Sequence, residues 1–258
     1  MLRIGVSGAL GRMGREIEAA LGERDDMHLA ARIARPGAVE APIHPLPLDD
    51  PEAALGRCEV VIDVSTASAA ARLARLAARR GGPALVIGAT GFTADEEDEI
   101  AQAARAVAIL KSGNFSLGAA LLARLVETAA ASLGPKDWDI EIVEAHHRRK
   151  RDAPSGTALQ LGAAAGRGRG EDQPTLARRH GVTGVRPVGG IGYAVVRGGG
   201  LIGEHSVVFA AEDEILTLSH SARDRRVFAR GALAAAAFLV GAEPGLYAMS
   251  DVVAALAH

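Results

Sequence analysis

Short, uninterrupted apolar runs recur through the first part of the chain, each followed by a turn and then by residues at helical spacing. Arg3 to Ser7 is β-branched and apolar; GALGRMG follows at Gly8 to Gly14, and Ile17 and Leu21 then fall on one helix face. His28 to Ile33 reads as a second strand. Val60 to Val64 and Leu85 to Ile87 are continuous apolar runs of the kind found in strands buried on both faces, and Ala67 to Arg80 between them is helix-like. The alternation predicts an α/β fold with a Rossmann-like, doubly wound parallel sheet over about the first 115 residues.

After Asn114 the pattern changes. A helical stretch from Ser116 to Ser132 leads to a strand in which Ile140 and Ile142 alternate with Glu141 and Val143, as when one face is buried. Val188 to Arg197, Leu201 to Ala210 and Ile215 to Ser221 read as further strands, with Gly198, Gly199 and Gly200 as a flexible turn. Ala163 to Asp172, rich in Gly, Ala and Arg, reads as a helix end with a mobile loop. These elements predict a second, α+β domain on an open mixed sheet. Gly231 to Leu239 is alanine-dominated and far shorter than a membrane span of roughly twenty residues, so it reads as a buried helix. No membrane partner and no targeting segment are expected.

The 258 residues are 48% hydrophobic, ample for packed cores, and carry a formal net charge of −2. A general nucleic-acid binder needs a broad basic excess, so nucleic acid is not an expected partner and any cationic run calls for a local explanation. Cys58 is the single cysteine, which excludes an internal disulfide framework and a thiolate metal cluster and suits a reducing compartment.

The cationic run is Glu144 to Thr157, EAHHRRKRDAPSGT, lying after a strand-like segment and before a helix-like one. A helix N-terminus presents backbone N–H groups without intrahelical partners, so Ser155, Gly156 and Thr157 are candidates to receive a carboxylate or phosphate. His146, His147 and Lys150 stand close by as proton-bearing groups. A solvated basic loop before a capped helix accounts for the same residues without chemistry. A metal is not expected, because no compact set of Cys or carboxylate ligands accompanies the histidines, and Glu144 and Asp152 suit the orientation of the cations better.

Three glycine turns follow apolar runs, at the ends of strands where open α/β sheets place their ligands. The first, with Gly8, Gly11 and Gly14 in GxxGxxG spacing, suits close approach of a dinucleotide pyrophosphate, or is an ordinary tight turn. VIGATGF offers Gly88 and Thr90, and SGNFSLG offers Asn114 and Phe115, to a nicotinamide; Thr93 and Ser116 in the same turns are candidate helix caps. Where the second strand ends, a carboxylate usually binds the adenine ribose. Here Ala34 takes that place between Arg32 and Arg35, which favours NADPH, with NADH possible, if an arginine meets the 2′-phosphate. Solvation of both arginines is the alternative.

Together these residues resemble the dihydrodipicolinate reductase family, that is, 4-hydroxy-tetrahydrodipicolinate reductases of lysine and diaminopimelate biosynthesis. Glu144 to Ala158 follows that family's EAHHRxKxDAPSGTA signature throughout, and GALGRMG, IGATGF, GNFSLG, Gly203–His205 (GEH) and the terminal GLYAMSDV are also similar to family segments. The resemblance implies a cytoplasmic homotetramer. It implies a dinucleotide-binding domain over residues 1–115 and 226–258, with a substrate-binding and tetramerisation domain inserted at 116–225. It implies NAD(P)H-dependent reduction of a cyclic dicarboxylate, with hydride added at C4 and protonation at C3. By position, His146 is the proton donor or acceptor and Lys150 the proton donor, while His147, Ser155, Gly156 and Thr157 bind substrate. The cofactor positions are Gly8, Ala9, Leu10, Gly11, Arg12, Met13, Ala34, Arg35, Gly88, Ala89, Thr90, Ser112, Gly113, Asn114, Phe115, Arg225 and Phe228. The chain departs from the family at Ala34, commonly an acid, at Ala89, often threonine, and at Ser112-Gly113, where Ala-Pro or Ala-Ala is frequent.

Two readings compete with this one. Another reductase on the same cofactor domain would need its own substrate motif, and a phosphorylating semialdehyde dehydrogenase a nucleophilic cysteine, which Cys58 is poorly placed to be. A non-catalytic dinucleotide sensor that binds nucleic acid through HHRRKR would be served by interleaved aromatics, which the run lacks.

Overall fold

The computed structural model describes the chain except for residues 36, 39–43, 45, 171–174, 177–180, 257 and 258 and the side chains of 175 and 176. Two compact units emerge, Met1–Leu117 with Arg226–His258, and Gly118–Arg225.

The first unit opens with β1 (Leu2–Ser7), α1 (Arg12–Leu21), β2 (Met27–Ile33), α2 (Pro51–Leu55), β3 (Val60–Asp63), α3 (Ala67–Arg80), β4 (Ala84–Ile87), α4 (Ala94–Ala103) and β5 (Ala108–Lys111). The second is built from α5 (Leu117–Ser132), β6 (Asp139–His146), α6 (Gly156–Arg169), β7 (Thr175–Leu176), β8 (Ile191–Arg197), β9 (Glu204–Ala210) and β10 (Ile215–Ser221). The chain then returns to the first unit as α7 (Arg226–Leu239), β11 (Gly245–Tyr247) and α8 (Met249–Ala255).

Six parallel strands make the first sheet, in the order β11-β5-β4-β3-β1-β2. Val61, Leu85, Ile87 and Ile109 share a core with apolar residues of α2, α3 and α4. Their neighbours Val60, Ile62, Val86 and Leu110, equally buried, point to the other face, and α1 and α7 supply the helices that pack together there. This is the doubly wound parallel sheet that the apolar runs predict. Strand order reverses between β1 and β3, which makes the carboxyl ends of those two strands the ligand crevice of such a sheet.

Helices α2 and α4 of this unit lie outside the helical periodicity of the sequence but carry local start signals. Asp50 accepts from Glu52 N and Ala53 N ahead of Pro51 to start α2, and Thr93 and Glu96 form a reciprocal capping box on α4.

The second sheet is mixed, ordered β10-β9-β6-β8-β7, with β6 antiparallel to β9 and parallel to β8. Ile140 and Ile142 of β6 are fully buried beneath residues of α5 and α6, whereas Val143, next along the strand and on its opposite face, is 37% exposed. On the same open face stand Val196 and Ile215, 48% and 69% exposed. Two strands start later than the apolar pattern suggests. The Gly190 N–H closes a turn onto the Pro187 carbonyl (3.3 Å) and Gly189 adopts φ +79°, so β8 begins at Ile191. The Leu201 carbonyl is taken by the His147 N–H (2.7 Å), which leaves β9 to begin at Glu204. Helix α6 runs on to Arg169 and ends on Gly170 in the left-handed conformation; the remainder of the anticipated loop, residues 171–172, lies outside the described residues.

Candidate active site

In the second unit the basic segment links the end of β6 to the start of α6. Inward and outward side chains alternate along β6, so Glu144 and His146 share the buried face that carries Ile140 and Ile142. Glu144 is 1% exposed and wholly surrounded by donors. Its Oε2 lies 2.6 Å from His146 Nδ1, its Oε1 accepts the Ser155 N–H at 2.9 Å, and both oxygens receive the Arg197 guanidinium at 2.7 Å. Arg197 also donates to the Asp152 carbonyl (2.7 Å), so one arginine at the end of β8 ties the strand to the loop. Lys150 Nζ pairs with Asp152 Oδ2 at 2.9 Å.

Ser155 begins α6 by accepting the Ala158 N–H on Oγ (3.2 Å), and that oxygen also pairs with His205 Nε2 (3.0 Å). Its own N–H is held by Glu144, and the residue is 1% exposed. Gly156 and Thr157, the next two residues, are exposed and half-buried. Of the three residues anticipated to hold a carboxylate, Ser155 therefore orders the turn, and Gly156 and Thr157 face outward from it. His146 and His205 stack edge-to-face with centroids 5.1 Å apart.

Burial pushes the Glu144 carboxyl up, but the Arg197, His146 and Ser155 N–H groups outweigh it and hold the group below its ordinary value. Burial lowers His146; the adjacent Glu144 carboxylate opposes this, and Lys150 and Arg197 add to it, so the imidazole is mainly neutral at pH 7. His205 is pushed down to about 4, chiefly by burial and then by His146. The Lys150 ammonium holds Asp152 below its usual range.

In the first unit, the three glycine turns meet at one edge of the sheet. Each loop donates to the last carbonyl of a neighbouring strand: Gly8 N–H to Ile33 O (2.9 Å), Val64 N–H to Ser7 O (2.9 Å), Gly88 N–H to Asp63 O (2.7 Å) and Ser112 N–H to Ile87 O (2.9 Å). Gly8 adopts φ +81°, and a Cβ there would stand 2.8 Å from Val64 O, so only glycine fits. Gly11 caps α1 without a side-chain partner, leaving the first N–H groups of that helix for an anion, as a pyrophosphate would require. Arg12 is exposed and Leu10 and Met13 are half-buried around this turn, with Ala9 beneath it.

Thr90 and Gly113 lie side by side, Asn114 Oδ1 accepts the Ser116 N–H (2.9 Å), and Ser112 Oγ donates to the Asn114 carbonyl (2.7 Å). Phe115 is 4% exposed, as is Ala89 nearly, at 7%. A Cβ on Gly88 would meet the Phe115 ring at 2.6 Å, so Phe115 supports the turn from below. Phe228 lies half-buried on α7 of this unit, and Arg225 belongs to the second.

The arginines at the end of β2 differ sharply. Arg32 is 1% exposed, donates to Glu18 (2.9 Å) and to the Leu46 carbonyl (3.1 Å), and so is neither solvated nor open to a phosphate. Its partner Glu18 lies fourteen residues away on α1, a pairing that only the fold creates. Arg35 is exposed and Ala34 half-buried. Sequence reasoning also passes over Asp63, fully buried at the end of β3 and bonded to Ser65 (2.8 Å); burial raises its carboxyl, against the pull of Ser7 and Ser65. Arg197 and the role of His205 were equally hidden, although GEH marks the position of the latter.

Comparison with known proteins decides what this geometry belongs to. The families described as dihydrodipicolinate reductase, N-terminus, and dihydrodipicolinate reductase, C-terminus, match residues 2–115 and 118–253. The chain belongs to the dihydrodipicolinate reductase family. It is 54% identical to the 4-hydroxy-tetrahydrodipicolinate reductase of Caulobacter vibrioides over 98% of this chain and 97% of that protein. Identity to the reductase of the same name in Rhizobium rhizogenes is 46%, over 98% and 96%. The solved structure of a dipicolinate-bound dihydrodipicolinate reductase from Paenisporosarcina sp. TG-14 matches with a TM-score of 0.80 at 25% identity, covering 97% of this chain and 99% of that one. A probable dehydrogenase from Thermotoga maritima shares the fold alone, with a TM-score of 0.62 at 13% identity over 99% and 93%. Dihydrodipicolinate reductases are oxidoreductases of lysine and diaminopimelate biosynthesis that act on a small molecule with NAD(P)H, and this chain is one of them.

Proposed function

We propose that the chain reduces 4-hydroxy-2,3,4,5-tetrahydrodipicolinate to 2,3,4,5-tetrahydrodipicolinate with loss of water, NADPH being favoured and NADH possible. When bound, the dinucleotide supplies the hydride that reduces C4 of the conjugated ring. The chain's own residues supply position and protons. Gly156 and Thr157 receive one ring carboxylate at the start of α6, ordered by Ser155, and His147 and Lys150 hold the ring from the other side. His146 and Lys150 deliver the proton to C3. Gly8 to Met13, with Gly88 to Thr90 and Ser112 to Phe115, form the dinucleotide edge, Arg35 beside Ala34 favours a 2′-phosphate, and Arg225 and Phe228 complete the set.

The observation that carries this reading is the Glu144–His146–Ser155 hydrogen-bonding, which places a proton-bearing imidazole beside the start of α6. No described helix is long and apolar enough to cross a membrane, which suits a cytoplasmic enzyme. The open valine- and isoleucine-bearing face of the second sheet suits assembly into a homotetramer. With freshly generated substrate, loss of nicotinamide absorbance should be faster with NADPH than with NADH, and His146→Gln or Lys150→Ala should lower kcat by about 10²- to 10⁴-fold with cofactor affinity retained. Full turnover in both variants would refute the assignment of the acid.

A further inference from the structure

We infer that Glu144 is the positioning residue for the proton-transfer half of the site, and that Arg197 keeps it ionised for that task. The inference rests on the proposed role of His146. Glu144 hydrogen-bonds to both halves of the motif: Oε2 meets His146 Nδ1 and Oε1 accepts the Ser155 N–H. A carboxylate that already takes two guanidinium N–H groups and a backbone N–H, and is held below its ordinary pKa, has only lone pairs to offer the imidazole. His146 Nδ1 must therefore carry the proton in that hydrogen bond. The neutral ring then has its lone pair on Nε2, the reverse of the tautomer that free imidazole prefers, and Nε2 is the atom that gains and gives the exchangeable proton.

The charge of Glu144 has a second effect. Among the described residues, the other titratable groups facing His146 disfavour the imidazolium: Arg197 at the end of β8, Lys150 after β6, and His205 on β9, which in turn faces His220 on β10. Glu144 offsets them in part, so the imidazolium of His146, already disfavoured by burial, depends on that charge. Arg197, by pairing bidentately with both carboxylate oxygens, keeps Glu144 from taking the proton itself. Asp152, paired with Lys150, bears on this set only through Arg197 and Lys150.

In the wild-type enzyme, ¹⁵N-detected spectra of the imidazoles at pH 7.5 should show His146 as the Nδ1–H tautomer; an Nε2–H tautomer overturns the inference without bearing on turnover. Glu144→Gln should lower kcat by about 10²-fold, the lower part of a general acid's contribution, with the KM for NADPH unchanged. The limb of the kcat profile that needs protonated His146 should move to lower pH, and Glu144→Asp, which restores the charge, should move it back. In the His146→Gln background, Glu144→Gln should cost little more. A purely structural Glu144 would reduce the folded fraction, leave the limb in place and add its cost in full to that of His146→Gln; either result overturns the inference. Full turnover in His146→Gln alone instead removes the underlying assignment.

Discussion

Replacing Arg197 with methionine isolates the electrostatic half of this arrangement, because methionine retains the apolar stem and loses the fork. The Glu144 side chain is 0% exposed and would keep only His146 Nδ1 and Ser155 N–H as partners. Removing one member of a buried ion pair costs about 3–5 kcal/mol. The Arg197 side chain is 20% exposed, so water partly replaces it and the lower end, about 3 kcal/mol, is expected at pH 7.5. The pH dependence has a definite sign. Glu144 titrates below its ordinary value in the fold, so its contribution is complete above the unfolded value and is lost as pH falls through the folded one. Without the guanidinium that lowering is largely removed, the buried carboxylate takes a proton sooner, and the deficit relative to wild type narrows in acid. Trp138, the single tryptophan, packs against the second unit's core and reports its unfolding. Urea denaturation followed by its fluorescence, at fixed protomer concentration to hold assembly constant, measures the effect. A loss below about 1 kcal/mol, or a deficit equal at pH 7.5 and 4.5, would refute the argument from desolvation.

Two further perturbations bear on other parts of the fold. His205 is neutral in the folded protein down to about pH 4, so unfolding takes up its proton as pH falls below the ordinary 6.5 and stability declines with acid. His205→Gln should make that decline shallower by up to about 1.4 kcal/mol per pH unit; an unaltered slope in the Trp138 signal between pH 6.5 and 4.5 would count against it. Gly8→Ala forces a side chain into φ +81° and against Val64 O, a strain of about 1–3 kcal/mol. Fluorescence titration should show weaker NADPH binding together with a lower Tm, and wild-type values for both would contradict the close approach.

Continuous apolar runs identify β1, β3 and β4 because strands buried on both faces need no polar alternation, and α3 is bounded by its own cap and by Gly81 in the left-handed conformation. β11 and α8 escape that logic; a three-residue edge strand is too short to carry a period. At the candidate site, the clustering of side chains was legible in the EAHHRRKRDAPSGT segment, since a strand end and a capped helix bring those residues together whatever the rest of the chain does. What was not legible depends on pairing across the sheet. Arg197 reaches Glu144 from 53 residues away and His205 reaches Ser155 from 50, through the β6–β8 and β6–β9 registers. Arg32 shows the opposite limit: a position that suggested phosphate recognition is occupied by a buried ion pair.

The bonds from Gly8 to Ile33, Val64 to Ser7, Gly88 to Asp63 and Ser112 to Ile87 each fall on the first residue after a strand, so they fix where every loop leaves the proposed dinucleotide edge and not how long the loop is. Adding or deleting one residue within a strand would carry that N–H off its neighbour, whereas a change farther along the turn would leave it in place. Changes of cofactor preference in this scaffold should therefore arise beyond these anchors, in the turns themselves and at exposed side chains such as Arg35, with the strand ends untouched.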